Sequence, residues 1–148
     1  QQHVSDVDAS VKAAEQRIVQ ITSELSTQKV IQKHCDSYRL CRKVIEDCKS
    51  AKNLKAYRTK HQAEYQLHDS LKKELQDLGV TKIPSSNKIQ KRIENLESEQ
   101  DATVREKQEL QKKQKTLDII QQNFTVLLNA PHISNNDINR TVAPPLQH

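Results

Sequence analysis

Apolar residues return every three or four positions along most of the chain, which is the pattern of helices that bury one narrow stripe. The first stripe comprises Val4, Val7, Val11, Ala14, Ile18, Ile21 and Leu25. It turns polar at Gln28 and resumes from Ile31, displaced around the helix as in a coiled-coil stutter. The pattern predicts one long helix over about residues 5–50, with Ser5 or Asp6 as its N-cap.

A weak break follows this first helix. Ser50 and Asn53 favour turns and caps, and no Gly or Pro stands near them, so the sequence predicts a tight turn between two helices. Helix 2 then covers about residues 54–78. Its stripe is again spaced by three and four residues and consists of Leu54, Tyr57, His61, Glu64, His68, Leu71, Leu75 and Leu78.

A strong break follows the second helix at Gly79, the only glycine of the chain. Glycine takes positive φ past a helix end without strain, and Pro84 cannot continue a helix. Ser85 or Ser86 then caps a third helix over about residues 86–129. The sequence therefore predicts three helices in one elongated domain, residues 1–130, followed by a disordered tail at residues 131–148.

The stripe of helix 3 is uneven. One heptad position is apolar almost throughout: Ile89, Leu96, Thr103, Leu110, Leu117 and Phe124. Its companion is polar in the middle: Ile93, Gln100, Lys107, Gln114, Gln121 and Leu128. A seam with so many polar positions cannot make a strong coiled coil by itself.

The helix lengths constrain how the helices pack. Helix 1 spans about 68 Å and helix 2 about 38 Å, so helix 2 can cover only the second half of helix 1. Helix 3 or a second chain must cover the first half, and part of helix 3 overshoots the bundle. We expect an all-α fold, an elongated three-helix bundle or antiparallel coiled coil with two long helices and one shorter helix, closed into a homodimer by the long helices.

Composition agrees with a thin, elongated core. Hydrophobic residues make up 34% of the chain, below the usual fraction of about 45–50% in globular domains. No apolar run approaches the length of a membrane span, so no membrane partner is expected and the predicted location is the cytoplasm. Three cysteines without metal-ligand spacing, Cys35, Cys41 and Cys48, fit reduced thiols there. Because the chain begins at Gln1 without Met, we expect a fragment of a longer protein.

The excess positive charge lies in residues 39–60, where eight basic residues face only Glu46 and Asp47. The basic residues are Arg39, Arg42, Lys43, Lys49, Lys52, Lys55, Arg58 and Lys60. One interpretation is that they bind a nucleic-acid phosphate backbone around the turn between helices 1 and 2. The other is that they form an ordinary solvated helix surface.

A polar group interrupts the stripe of helix 2. His61, Glu64 and His68 fall on one face and could form a metal site or an acid–base pair. The simpler interpretation is a buried polar layer in which Glu64 pairs with Arg39 or Arg42 and His68 falls near His34. We favour this layer, because zinc needs three or four ligands and no others cluster here; no metal or cofactor is predicted.

From Tyr38 onward the chain resembles the C-terminal helical region of relaxases, the nucleases that mobilise conjugative elements. The resemblance covers about residues 15–128 and rests on helical motifs. They are Tyr38, Arg42, Val44-Ile45 and Cys48, then Tyr57-Arg58-Thr59-Lys60-His61-Gln62-Ala63-Glu64 with His68, then Ile83-Pro84-Ser85, and finally Gln122-Asn123-Phe124-Thr125-Val126-Leu127-Leu128. Ile45 and Cys48 stand where the family tends to have Tyr, and Phe124-Thr125 departs from its usual ending.

The resemblance implies an accessory rather than a catalytic region. Relaxases nick DNA with a tyrosine beside a metal-binding histidine cluster in an N-terminal domain, and Tyr38, Tyr57 and Tyr65 match the helical region instead. We therefore expect no enzymatic activity here. The expected roles are binding of origin DNA, assembly with relaxosome proteins, or dimerisation. The alternative is a structural oligomerisation module unrelated to DNA.

Overall fold

The computed structural model describes residues 2–129, with side chains from Val4 onward, and every element in this range is helical. The elements are α1 (Gln2–Asp47), a 3₁₀ turn (Cys48–Ser50), α2 (Leu54–Lys60), α3 (Gln62–Asp77) and α4 (Ser86–Asn129). The predicted all-α fold with two long helices is confirmed. The tail predicted at residues 131–148 lies outside the described residues.

Three helix ends carry the capping chemistry that the sequence predicts. The predicted N-cap of the first helix is wrong, because α1 begins at Gln2 and contains Ser5 and Asp6. The Asn53 carboxamide oxygen accepts a hydrogen bond from the Ala56 amide at 3.2 Å and caps α2. The Ser85 hydroxyl accepts from the Lys88 amide at 3.2 Å and caps α4. Gly79 has φ +83° after α3, and its N–H donates to the Gln76 carbonyl. These short-range bonds satisfy backbone groups that helix ends leave unpaired.

The predicted single helix over residues 54–78 is wrong in one respect, because it divides at His61. This residue has φ −107° and ψ 23°, and it separates α2 from α3. Helix α2 has one hydrogen bond to α1, in which the Tyr57 hydroxyl donates to the Val44 carbonyl at 2.7 Å. Helix α3 then begins directly after His61.

Helix α4 runs antiparallel to α1 and covers the first half of α1 within the same chain. Three polar positions of its seam find partners there: Gln100 donates to Thr22, Lys107 pairs with Glu15, and Gln114 donates to Asp8. Charged pairs flank the seam at Arg17–Glu99, Lys29–Glu97 and Glu24–Arg92. These three polar positions therefore favour packing against α1, since each of them meets a complementary group there.

The main core lies in the middle of α1. There α1 meets α3, the start of α4 and the connector, which is the segment that joins α3 to α4. Its buried members are Ile21, Leu25, Ile31, Cys35, Leu75, Ile89, Ile93 and Leu96. Tyr38, Val80 and Ile83 pack against this cluster from its edge. Cys35 is fully buried and Leu75 and Leu96 are each only 1% exposed, so the most deeply buried side chains come from α1, α3 and α4.

The end of α4 extends past the start of α1. Val7 lies beside Leu117, and every residue from 118 to 129 is exposed. This segment carries the apolar residues Ile119, Ile120, Phe124, Val126, Leu127 and Leu128, each between 49% and 74% exposed. We call residues 118–129 the apolar overhang. The predicted overshoot of the third helix is thus present, at the end of the molecule away from the α1–α2 turn.

Candidate nucleic-acid interface

Seven of the eight predicted basic residues gather at the end of the molecule where α1 turns into α2. We call this set the basic tip, and its members are Arg42, Lys43, Lys49, Lys52, Lys55, Arg58 and Lys60. All seven are exposed. The bond from Tyr57 to Val44 links α2 to the end of α1, so cations from both helices and from the turn between them lie at the same end of the molecule.

Most of these cations have no carboxylate partner. The Arg42 guanidinium bonds Glu46 one turn later at 3.0 Å. Within residues 2–129, none of the other six forms an ion pair. Mobile cations on a surface with few acidic residues produce the local positive potential that attracts phosphate backbones.

Arg39, the eighth predicted residue, does something else. Its guanidinium donates to the Pro84 carbonyl and to the Ser86 hydroxyl, the latter at 2.8 Å, and pairs with Asp36 at 3.2 Å. Arg39 therefore ties α1 to the segment between α3 and α4. The sequence carries no local signal for this role, because Pro84 lies 45 positions away.

Two tyrosines support the basic tip from beneath. Burial of the hydroxyl raises the pKa of Tyr57, and the charge of Asp47 adds to the shift. The Arg58 guanidinium carbon lies 5.8 Å from the centroid of the Tyr65 ring, within cation–π range. The Tyr65 hydroxyl is buried beside the Cys48 thiol. Its weak interaction with that thiol and its burial both raise the pKa of Tyr65. In both tyrosines the raised pKa favours the protonated phenol.

The three residues predicted as a buried polar layer are only partly buried. The side chains of His61, Glu64 and His68 are 23%, 39% and 18% exposed. The predicted pairing of Glu64 with Arg39 or Arg42 is wrong, since Glu64 bonds its own helix instead. Its own backbone N–H, followed by the His61 ring at 3.5 Å, lowers the pKa of the Glu64 carboxyl.

The predicted proximity of His68 and His34 is also wrong, by about one helical turn. His68 stacks on Tyr38, and His34 pairs with Glu74 at 3.1 Å. His68 therefore meets α1 four residues after His34, which is about one helical turn further along that helix. The register near the turn, given by Tyr57 and Val44, therefore does not continue along α3.

Within residues 2–129, no three side chains of His, Cys, Asp or Glu come together in a way that could hold a metal ion. None of the helices in that range has an apolar stretch able to cross a bilayer. Comparison with family models, with curated proteins and with solved structures gave no match for this chain. The relaxase resemblance therefore stays a prediction made from the sequence.

Proposed function

We propose that this chain is the non-catalytic, helical C-terminal region of a relaxase, and that its basic tip binds origin DNA. The observation that supports DNA binding is that six basic residues at the α1–α2 end are exposed and, within residues 2–129, form no ion pair: Lys43, Lys49, Lys52, Lys55, Arg58 and Lys60. Such a surface contacts phosphates without reading bases, so it positions DNA for another domain or protein to recognise.

The rod formed by α1 and α4 fits this accessory role. The basic tip stands at one end of α1, and the apolar overhang lies at the other end, so charge and apolar surface are far apart. A helix of 46 residues such as α1 is about 69 Å long. DNA bound at the tip would leave the overhang free for assembly with relaxosome proteins or with another copy.

The experiment is a titration of a fluorescently labelled 20-base-pair duplex at several salt concentrations. Contact with four to six phosphates predicts a slope of about −4 to −5 in log affinity against log salt. Reversing three tip charges in Lys49→Glu/Lys52→Glu/Lys55→Glu should weaken binding about tenfold or more and flatten the slope by about 3.

A matched control reverses three exposed lysines away from the tip, in Lys72→Glu/Lys113→Glu/Lys115→Glu. This variant changes the net charge equally but should retain most of the affinity. If the tip variant binds the duplex as tightly as the control variant does, the basic tip is not the DNA-binding surface.

A second candidate function is self-association, and the apolar overhang favours it. The predicted homodimer rests on the uncovered Val4–Leu25 stripe of the first helix and on the overshoot of the third helix. The first reason no longer applies, because α4 covers the Val4–Leu25 stripe within one chain. The second reason remains, because the seam that packs on α1 continues into the overhang through Leu117, Phe124 and Leu128. A second copy presents the same seam, and two such segments can pair as a short coiled coil.

Sedimentation equilibrium at about 100 µM distinguishes this candidate. The unmodified chain should be a dimer, and Phe124→Asp/Leu128→Asp should be a monomer, because charge in the seam opposes its burial. The control Val19→Asp/Leu40→Asp changes two equally exposed residues of α1 and should remain a dimer. A monomeric unmodified chain at this concentration would rule the candidate out.

A further inference from the structure

An open cleft lies beside the connector between α3 and α4, well away from the basic tip. It has a volume of about 510 Å³ and is bounded by α1, the connector and the first turns of α4. Three apolar side chains, Ile31, Val80 and Ile89, form one part of its lining. Asn95 adds a carboxamide on the α4 side.

The walls of the cleft are held in place by the fold. Ile31 and Ile89 belong to the main core, and Val80 packs against it. The Val80 N–H donates to the Leu75 carbonyl at 2.8 Å, which fixes the start of the connector. Arg39 holds the other end of the connector through the Pro84 carbonyl. The cleft is therefore preformed rather than a gap between mobile loops.

The polar lining of the cleft is positively charged. Lys82 comes from the connector, Lys88 and Lys91 come from α4, and Arg92 stands next to them. Arg92 pairs with Glu24, whereas the three lysines form no ion pair within the described residues. None of the described residues contributes a carboxylate to the lining of the cleft. Cations from two separate segments thus converge around one volume without a counter-charge, which favours occupation by an anion.

We propose that this cleft binds a phosphate group, with Lys82, Lys88 and Lys91 supplying the charge and the Asn95 amide a directional hydrogen bond. The apolar lining accommodates the less polar part of the molecule that carries the phosphate. The same chemistry is offered by a DNA backbone and by a free polyphosphate or nucleotide. The proposal does not depend on the basic tip, because the 16 residues of α3 separate the two by about 24 Å.

Two probes test the proposal and separate the sources. The first is inorganic tripolyphosphate, titrated by calorimetry into the full chain. The second is a labelled 12-nucleotide single strand, measured in the Lys49→Glu/Lys52→Glu/Lys55→Glu background so that the tip cannot dominate binding. The cleft variant is Lys82→Gln/Lys88→Gln/Lys91→Gln, and the matched control is Lys72→Gln/Lys113→Gln/Lys115→Gln. All six lysines are exposed, so neither variant should impair folding.

The cleft variant should bind at least one of the probes about tenfold more weakly, whereas the control should change affinity less than about twofold. A cleft-dependent loss with tripolyphosphate alone identifies a small polyphosphate as the ligand, and a loss with the single strand identifies the DNA backbone. Equal affinities of the cleft and control variants for both probes, or no binding of either probe by the unmodified cleft, would overturn the proposal. Because the second probe is measured with the tip disabled, failure of the tip to bind DNA does not decide this result.

Discussion

The Tyr38 ring on α1 stacks on the His68 imidazole of α3, with ring centroids 4.6 Å apart and planes inclined by 25°. This contact sets the register between the two helices. It places α3 about one turn from where a symmetrical hairpin about residue 51 would put it. The same register brings His34 to Glu74 and leaves Glu64 without an arginine partner.

The first prediction follows from that register. His68→Ala removes the stacked ring and its buried area, so the free energy of unfolding should fall by about 1–2 kcal/mol. Urea unfolding followed by circular dichroism measures the change. Glu64→Ala serves as the comparison and should be the milder substitution, because its carboxylate bonds only within its own helix turn. A larger loss for Glu64→Ala than for His68→Ala would show that the register described above is incorrect.

The second prediction separates the core from the apolar overhang. Leu96 is 1% exposed and Leu127 is 74% exposed, although both lie on α4. Leu96→Ala should lower the free energy of unfolding by about 2–5 kcal/mol, since it leaves a cavity in the main core. Leu127→Ala should change it by less than about 0.5 kcal/mol. Both variants are measured at a protein concentration below about 1 µM, so that self-association does not contribute to their stability. A large effect at Leu127 would mean that the overhang packs within one chain.

The third prediction concerns Gly79, whose φ is +83°. A Cβ at this position would meet nothing within 4 Å, so the cost of Gly79→Ala comes from the backbone alone. We expect a loss of about 1–2 kcal/mol, and a smaller loss for Gly79→Asn, since Asn tolerates the left-handed conformation better. Thermal unfolding of the two variants checks the order. Equal stability of Gly79→Ala and the unmodified chain would contradict the helix end described here.

The fourth prediction concerns pH. Burial raises the pKa of the thiols of Cys35 and Cys41 in the folded chain. As the pH rises, the two thiols therefore lose their protons at a lower pH in the unfolded chain than in the folded chain. Their contribution to the free energy of unfolding is fully present below the pKa of the unfolded thiol. It should decline between about pH 8.5 and 10, where free thiols ionise.

Unfolding in urea at pH 7.5 and 9.5 measures the decline, which should be smaller in Cys35→Ala/Cys41→Ala. A decline of the same size in the double variant would assign the pH dependence to other groups. Reaction of the native thiols with a disulfide reagent gives an independent check. It should be slow, and it should accelerate when urea opens the structure, because both thiols are buried.

The sequence by itself determined three of the helix ends and the overshoot of α4, whereas α1 begins before its predicted N-cap. Asn53, Gly79 and Ser85 act on backbone groups within three residues of themselves, so their effect can be inferred without knowing the fold. The three-four spacing of apolar residues determined that the helices bury narrow stripes. The concentration of cations in residues 39–60 can likewise be read from the sequence. Six of them flank one turn and lie at the basic tip without an ion-pair partner within the described residues.

Tertiary structure alone decided which residues meet across the helices. Nothing near His61 in the sequence breaks a helix, yet α2 ends there, and α3 packs on α1 about one turn from the predicted register. Arg39 is basic like its neighbours, but the fold places it against the Pro84 carbonyl rather than at the basic tip. Partners of this kind are far apart in the chain, and their pairing depends on the direction and register of whole helices, which local propensity does not specify.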